Sequence, residues 1–244
     1  MDRNAGLSGM VLNYAHNLAC FQIFVAGLIL YRKRINHIIN EKFLYIVFII
    51  NTLGLYLSYT RGALLAFIIG LVFIFLKDHK KKFIITAVTL FLLSIAAYFF
   101  AGDKILRPGS DRERISQWKA AIKAFEERPV LGYGYLNFEQ YSVEIKKRYN
   151  IGELQFGGHA HNNFLEMLAS TGILGFLCYV AWLVLWLWEL YKRNDIIALI
   201  GLPMIMTIIV SGLTQSTISL GVNLFFIMAV YSITQMRVNI KDAT

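Results

Sequence analysis

Seven apolar runs divide the chain, and each approaches the length of a membrane span. They cover Asn13–Tyr31, Phe43–Thr60, Gly62–Leu76, Phe83–Ala101, Ile173–Tyr191, Ile196–Gly212 and Leu220–Met236. A membrane helix needs about 20 predominantly apolar residues, and only helices or closed barrels satisfy their backbone groups in lipid. Because the runs lack the alternation of barrel strands, the sequence predicts an all-α integral membrane protein with about seven transmembrane helices.

The composition agrees with this fold class. Hydrophobic residues make up 57% of the 244 residues and charged residues only 16%, against about 25% charged in a soluble domain. The net charge is +9, but most of the excess lysine and arginine stands in short connections between the apolar runs. That distribution orients membrane helices, so we predict the lipid bilayer as a partner and no nucleic acid.

Basic residues occupy every second connection between the runs. The positive-inside rule places these connections in the cytoplasm: Arg32–Lys42, Lys77–Lys82, Lys192–Arg193 and Arg237–Lys241. The outer side then holds Met1–Leu12, Arg61, Gly102–Asn162 and Gly212–Ser219. We therefore expect four helices in residues 1–101, an extracytoplasmic helical loop in 102–162 and three helices in 163–244, within one membrane domain. An outer N-terminus without an export signal further predicts a chain truncated at its N-terminus.

The second and third runs, Phe43–Leu76 together, are short for two spans. Basic residues flank both ends, so we predict a helical hairpin whose tip is Ser58–Gly62. The tip carries Arg61, and an arginine before a glycine is suited to hold an anion through its planar fork. The alternative is a snorkelling arginine that anchors the helix end, and the position of Arg61 alone does not separate the two.

The outer segment is predicted to hold two amphipathic helices. Ser110–Glu113 has the pattern of a capping box, and an apolar stripe follows it at helical spacing: Ile115, Trp118, Ile122 and Phe125. Arg128-Pro129 ends this helix, Gly132–Gly134 form a turn, and Asn137 caps a second helix. The apolar face of that second helix carries Phe138, Tyr141 and Ile145. Two such helices outside a bundle suggest a cap on the membrane surface.

The first outer helix carries two candidate ligands, Arg112 and Arg114. Arg114 precedes Trp118 by four residues, which puts both side chains on one helix face. This pair is suited to clamp a phosphate beside an aromatic ring that stacks on a sugar. The alternative is that both arginines are simply solvated charges on an amphipathic helix. When Arg112 and Arg114 are considered alone, this alternative is favoured.

A polar stretch, His159–Glu166, joins the outer segment to the fifth apolar run. Ionisable groups at such a boundary are costly and usually functional. His159 and His161 could ligate a metal, with Glu166 as a third ligand, but helical geometry would turn the two rings apart, so a metal is the less favoured use. A neutral imidazole is suited to act as general base, and this signal alone does not separate that role from a structural one. The alternative is a histidine that caps the helix or bonds headgroups, and Asn162 or Asn163 is a candidate N-cap.

These stretches form three motifs in a fixed order along the chain. They are Ser58–Gly62; Arg114–Ala121 with Pro129, Leu131–Gly134 and Phe138; and His159–Leu165 with Gly172-Ile173-Leu174-Gly175. In combination they resemble the C-terminal portion of the O-antigen ligase family, also described as Wzy/WaaL-type O-antigen polymerases or polysaccharide ligases. The resemblance covers nearly the whole chain, more loosely before Phe43. Members usually have about a dozen spans, a second indication of N-terminal truncation.

The resemblance implies a metal-independent, inverting glycosyltransferase with a GT-C-like helix bundle and no cofactor. Such an enzyme moves a glycan from a polyprenyl diphosphate, such as undecaprenyl diphosphate, to an acceptor hydroxyl at the outer face of the bacterial inner membrane. The acceptor is lipid A-core, a growing polysaccharide or a protein. By motif, His161 would be the base, and Arg61 and Arg114 would hold the diphosphate. Further substrate contacts are expected from Arg112, Trp118, His159 and Asn162.

Two other functions remain in view. A transporter of an anionic solute would place charges inside its spans and break its helices in paired halves, and the predicted spans hold almost no charge at their centres. The other possibility is an inactive fragment of such a ligase.

Overall fold

The computed structural model describes residues 11–35, 39–77, 85, 89, 108–152, 158–219 and 221–236. Within these residues the regular elements are helices, which confirms the predicted all-α class. The α-helices are α1 (Val11–Leu30), α2 (Glu41–Leu57), α3 (Arg61–Phe73), α4 (Pro108–Glu127), α5 (Phe138–Arg148), α6 (Asn163–Lys192), α7 (Ile196–Thr214) and α8 (Gly221–Gln235). Short 3-10 helices cover Arg32–Ile35 and Thr217–Ser219.

In the described part of the chain, three helices are long and apolar enough to cross a bilayer. They are α1 from Leu12 onward, α6 and α7. Helices α3 and α8 are also apolar but have only 13 and 15 residues, about 20 Å each at 1.5 Å per residue. The predicted span Phe83–Ala101 falls outside the described residues except for Ile85 and Thr89. The number of seven spans therefore stays a prediction.

The chain forms two compact units, of which the first comprises Met1–Leu90, Leu185–Ser211 and Gly221–Thr244. In this unit α1 packs against both α2 and α3, which form the predicted hairpin. Ala15, Ala19, Leu55 and Ala63 are buried together there, and such small side chains allow close helix approach. A chain of uncharged amides also lies inside the unit. In it, Asn17 Nδ2 donates to Asn223 Oδ1 at 2.8 Å, and Asn223 Nδ2 donates to Asn13 Oδ1 at 2.9 Å.

The second unit comprises Phe91–Val184 and Gly212–Leu220. Its core joins α4, α5 and the first part of α6 through buried residues: Ala120, Ala121, Ala124, Tyr133, Phe138, Ile145, Ala160 and Ala169. The predicted apolar stripe of α4 is not part of this core, because Ile115 and Ile122 are 47% and 44% exposed. The alanine face is buried instead, since small side chains let α4 and α5 approach closely.

The ends of the two outer helices differ in part from the prediction. The capping box at Ser110–Glu113 was wrong, because α4 begins two residues earlier at Pro108, and proline suits the first helical position. The end of α4 at Glu127, before Pro129, is confirmed. Asn137 does precede α5, but its side chain makes no capping hydrogen bond. It donates instead to Tyr133 O at 3.4 Å.

A kink at Gly172 divides α6, where φ is 62° and ψ is −163°. The turn between α4 and α5 docks into this kink. Tyr133 N and Gly134 N donate to Ala169 O and Ser170 O, at 3.0 and 2.7 Å, and Ile173 N donates to Pro129 O at 2.8 Å. The predicted turn at Gly132–Gly134 is confirmed, with φ values of 65° at Gly132 and 100° at Gly134. Backbone groups that the kink removes from the helix are thus satisfied by the turn.

Candidate active site

His161 lies directly before the capped start of α6. Its backbone has φ of 50°, a left-handed conformation that is uncommon for residues other than glycine. Its Nδ1 lies 2.8 Å from Oε1 of Gln215, in the connection between α7 and α8. An amide oxygen only accepts hydrogen bonds, so this contact is a hydrogen bond when Nδ1 carries the proton. In that tautomer the lone pair of the neutral ring is on Nε2.

The start of α6 is held by two asparagines with different partners. Asn162 is the N-cap, because its Oδ1 accepts from Phe164 N at 2.9 Å and Leu165 N at 3.1 Å. Asn163 is fully buried, and its Nδ2 donates to Tyr179 Oη at 3.2 Å and Thr217 Oγ1 at 2.9 Å. The structure thus selects Asn162 from the two predicted cap residues. A substrate contact by Asn162 stays a prediction.

Glu166, in the first turn of α6, ties down the loop that carries the histidines. Its carboxylate is only 2% exposed and accepts from Ala160 N at 2.8 Å and from Ser170 Oγ at 3.3 Å. His159 has another partner, since its Nε2 lies 3.2 Å from Glu139 Oε2 on α5. Within the part of the chain that the structure describes, no three His, Cys, Asp or Glu side chains are grouped to hold a metal ion.

Arg114 and His161 interact electrostatically, which brings two of the predicted site residues together. Burial lowers the pKa of His161 most, and electrostatic interactions with Arg114 and His159 lower it further. The hydrogen bond to Gln215 and the carboxylate of Glu113 act in the opposite direction. The net effect lowers the pKa of His161, which favours the neutral imidazole, the form that is able to accept a proton.

Helix α4 turns several polar atoms toward the interior of the second unit. Ser116 Oγ and Trp118 Nε1 are buried without a hydrogen-bond partner, as is Nδ1 of His159. The helix passes close to the histidine loop, because a Cβ built on Gly158 would lie 3.5 Å from Gln117 Nε2. Buried polar atoms normally have partners, so the lack of a partner at these three atoms is unusual.

Of the other two predicted arginines, one lies on α4 and the other at the start of α3. Arg112 is exposed on α4. Arg61 is the first residue of α3 in the other unit and is half-buried. The hairpin turn before it is ordered, since Thr60 N donates to Ser58 Oγ at 3.3 Å and Ser58 Oγ donates to Leu55 O at 2.7 Å.

Two residues that contact the histidines, Gln215 and Glu139, were not predicted from the sequence motifs. A signal for Gln215 did exist, because the positive-inside rule places Gly212–Ser219 on the same side as His161. Glu139 carries no comparable signal, since an acidic residue in the first turn of an amphipathic helix is common. Lys146 on α5, which was also not singled out from the sequence, is 1% exposed. Burial lowers its pKa, and Glu113 partly offsets this.

Residues 46–180 match the O-antigen ligase family, which is more than half of the chain. The chain belongs to this family. The matched region contains Arg61, Arg114 and His161, whereas Gln215 lies beyond it. With three span-length apolar helices among its described residues, this O-antigen ligase family member is a membrane protein.

A relative of this family member occurs in Haemophilus influenzae, where it is described as an uncharacterized protein. It is 23% identical over 192 residues, which cover 69% of this chain and 47% of the relative. The chain therefore spans about half the length of that relative.

Proposed function

We propose that this chain carries the catalytic portion of an inverting glycosyltransferase that moves a glycan from a polyprenyl diphosphate to an acceptor hydroxyl. The observation that carries the proposal is the contact of His161 with Gln215, which engages Nδ1 and leaves Nε2 out of that bond. Burial also lowers the pKa of His161, which favours the neutral form that a base requires. Membership of the O-antigen ligase family supports the substrate class.

The reaction requires one proton transfer and one displacement. Nε2 of His161 takes the proton of the acceptor hydroxyl, and the oxygen attacks the anomeric carbon of the donor sugar. The bond from that carbon to the diphosphate oxygen breaks, and its electron pair leaves with the polyprenyl diphosphate. Attack opposite the leaving group inverts the anomeric configuration. A positioned base of this kind contributes about 10²- to 10⁴-fold to a rate.

The leaving diphosphate needs its negative charge stabilised. Arg114, which interacts electrostatically with His161, supplies a guanidinium beside the base. Arg61 has the same role in this proposal because of the motif in which it stands. Bidentate arginine contacts to phosphate are strong and directional. Because a diphosphate with its charge neutralised is a good leaving group, the mechanism needs neither an acid catalyst nor a metal.

The sugar is bound by polar and aromatic groups of α4 and the histidine loop. Ser116 Oγ, Trp118 Nε1 and His159 Nδ1 are the buried atoms with unused hydrogen-bonding capacity. The indole ring adds a flat surface on which a sugar packs, with Arg112 and Asn162 as further predicted contacts. The reaction takes place at the outer face of the bacterial inner membrane, where lipid A-core, a polysaccharide or a protein provides the hydroxyl.

The stereochemical course of the reaction tests this proposal. Purified protein in nanodiscs is incubated with lipid-linked glycans extracted from the producing cells and with each of the three acceptor classes. Mass spectrometry identifies a glycosylated acceptor, and NMR gives the configuration of the new bond. We expect transfer with inversion to one acceptor class. Retention of configuration, or release of free glycan without transfer to any acceptor, contradicts the proposal.

A further inference from the structure

Gln215 is the partner of the base, although it lies beyond the region matched to the family. We propose that Gln215 is a positioning residue that fixes the Nδ1–H tautomer of His161 and so presents Nε2 to the acceptor hydroxyl. This inference rests on the proposed role of His161 as base. It assigns a function in the reaction to the connection between α7 and α8.

The hydrogen bond between the two side chains determines the tautomer. Gln215 is 4% exposed, and its Oε1 lies 2.8 Å from Nδ1 of His161, within the normal range for an N–H···O bond. The nitrogen that carries the proton in a neutral imidazole is set by the bond that the ring makes. A ring with its proton on Nε2 would leave two acceptors, Nδ1 and the amide oxygen, facing each other.

The backbone on both sides of Gln215 is tied to the start of α6. Leu213 O accepts from Asn162 Nδ2 at 3.2 Å, and Ser216 Oγ accepts from Asn162 N at 3.2 Å. Ile218 N donates to Asn163 Oδ1 at 3.2 Å. The uncommon φ of His161 fits this arrangement, because strained residues persist where their surroundings over-determine them. Three separate hydrogen bonds therefore tie this connection to the start of α6, so the loss of one of them leaves two in place.

A neutral partner also suits the chemistry of the site. Glu113, Arg114 and His159 are the charged or titratable groups that affect His161. A carboxylate in place of Gln215 would also orient the ring, but its negative charge would favour the protonated imidazole. The amide therefore selects the tautomer while leaving the base neutral at pH 7.

Three variants of the full chain separate these effects: Gln215→Glu, Gln215→Leu and Ser216→Ala. The protein is labelled with ¹⁵N-histidine, and ¹⁵N NMR reports the tautomer of His161, whose signals are identified by their loss in His161→Asn. The transfer rate is measured across pH on the same samples. Ser216→Ala is the matched control, because it removes a hydrogen bond from the same connection without touching the imidazole.

We expect the Nδ1–H tautomer in the wild type and in Ser216→Ala, and a mixture in Gln215→Leu with a transfer rate lower by about 10²-fold. Gln215→Glu keeps the tautomer, and the rise of its transfer rate with pH moves to higher pH, because the carboxylate favours the protonated imidazole. If Gln215→Leu does not fold, the shift in the pH dependence of the transfer rate of Gln215→Glu tests the proposal.

Four results would overturn the inference. The first two are an Nε2–H tautomer in the wild type and an unchanged tautomer in folded Gln215→Leu. The third is a pH dependence of the transfer rate in Gln215→Glu that equals that of the wild type. The fourth is a Ser216→Ala variant that behaves like Gln215→Leu. A normal transfer rate in His161→Asn would instead refute the proposed base, and the NMR result would still decide the tautomer.

Discussion

Gly132 and Gly172 face each other across the docked turn so closely that neither has room for a side chain. A Cβ on Gly132 would lie 2.6 Å from Gly172 N, and a Cβ on Gly172 would lie 2.4 Å from the carbonyl carbon of Val130. Both glycines have positive φ, 65° and 62°. Two motifs that are 40 residues apart in sequence thus meet backbone to backbone.

Gly172→Ala and Gly132→Ala should each destabilise the protein, by about 1–3 kcal/mol, because alanine is strained at positive φ and overlaps backbone here. Thermal unfolding of the purified protein measures the loss. Gly109→Ala is the control, since nothing lies within 4 Å of a Cβ at that position. Equal unfolding temperatures for all three variants would contradict the docking of the turn into the kink.

Arg114→Lys should reduce transfer nearly as much as Arg114→Ala, because an ammonium does not reproduce the bidentate fork of a guanidinium. The same pattern is expected for Arg61→Lys and Arg61→Ala. Initial rates with lipid-linked glycan donors measure the effect, and Lys119→Ala, an exposed site on α4, serves as the control. Full turnover in both lysine variants would favour an anchoring role.

Topology can be tested with two exposed lysines, Lys33 and Lys147. In a background without Cys20 and Cys178, a membrane-impermeant maleimide applied to intact spheroplasts should label Lys147→Cys and not Lys33→Cys. The positive-inside rule is the reason, because Lys33 belongs to a basic connection and Lys147 to the outer segment. The opposite labelling pattern would place the proposed active site on the wrong side of the membrane.

Much of the fold follows from local patterns in the sequence. The hairpin around Arg61, the end of α4 before Pro129 and the turn at Gly132–Gly134 were all predictable, because proline, glycine and apolar run length act locally. The start of α4 was not predictable, since Ser110 and Pro108 are both acceptable near a helix start. The buried face of α4 was not predictable either, because alanine side chains become buried only when a neighbouring helix packs closely against them.

The candidate site shows the same division. Motif and position were enough to predict His161 and Arg114, and the structure adds that they interact. The bond from His161 to Gln215 joins residues 54 positions apart, and no local pattern encodes such a pairing. The close approach of Gly172 to the backbone of Val130 is equally non-local. The motif Gly172-Ile173-Leu174-Gly175 was therefore visible in the sequence, but the packing that requires its first glycine was not.

The rate of glycan transfer by His161→Asn tests the central claim most directly. Asparagine tolerates the left-handed backbone at this position but cannot act as a base at pH 7. We expect transfer from a lipid-linked glycan to fall by about 10²- to 10⁴-fold, with membrane insertion intact, a smaller loss in His159→Asn, and wild-type activity unaffected by EDTA. Wild-type activity should also rise with pH, with a midpoint below that of an ordinary histidine, because burial lowers the pKa of His161. A His161→Asn protein that transfers glycan at the wild-type rate would contradict the account.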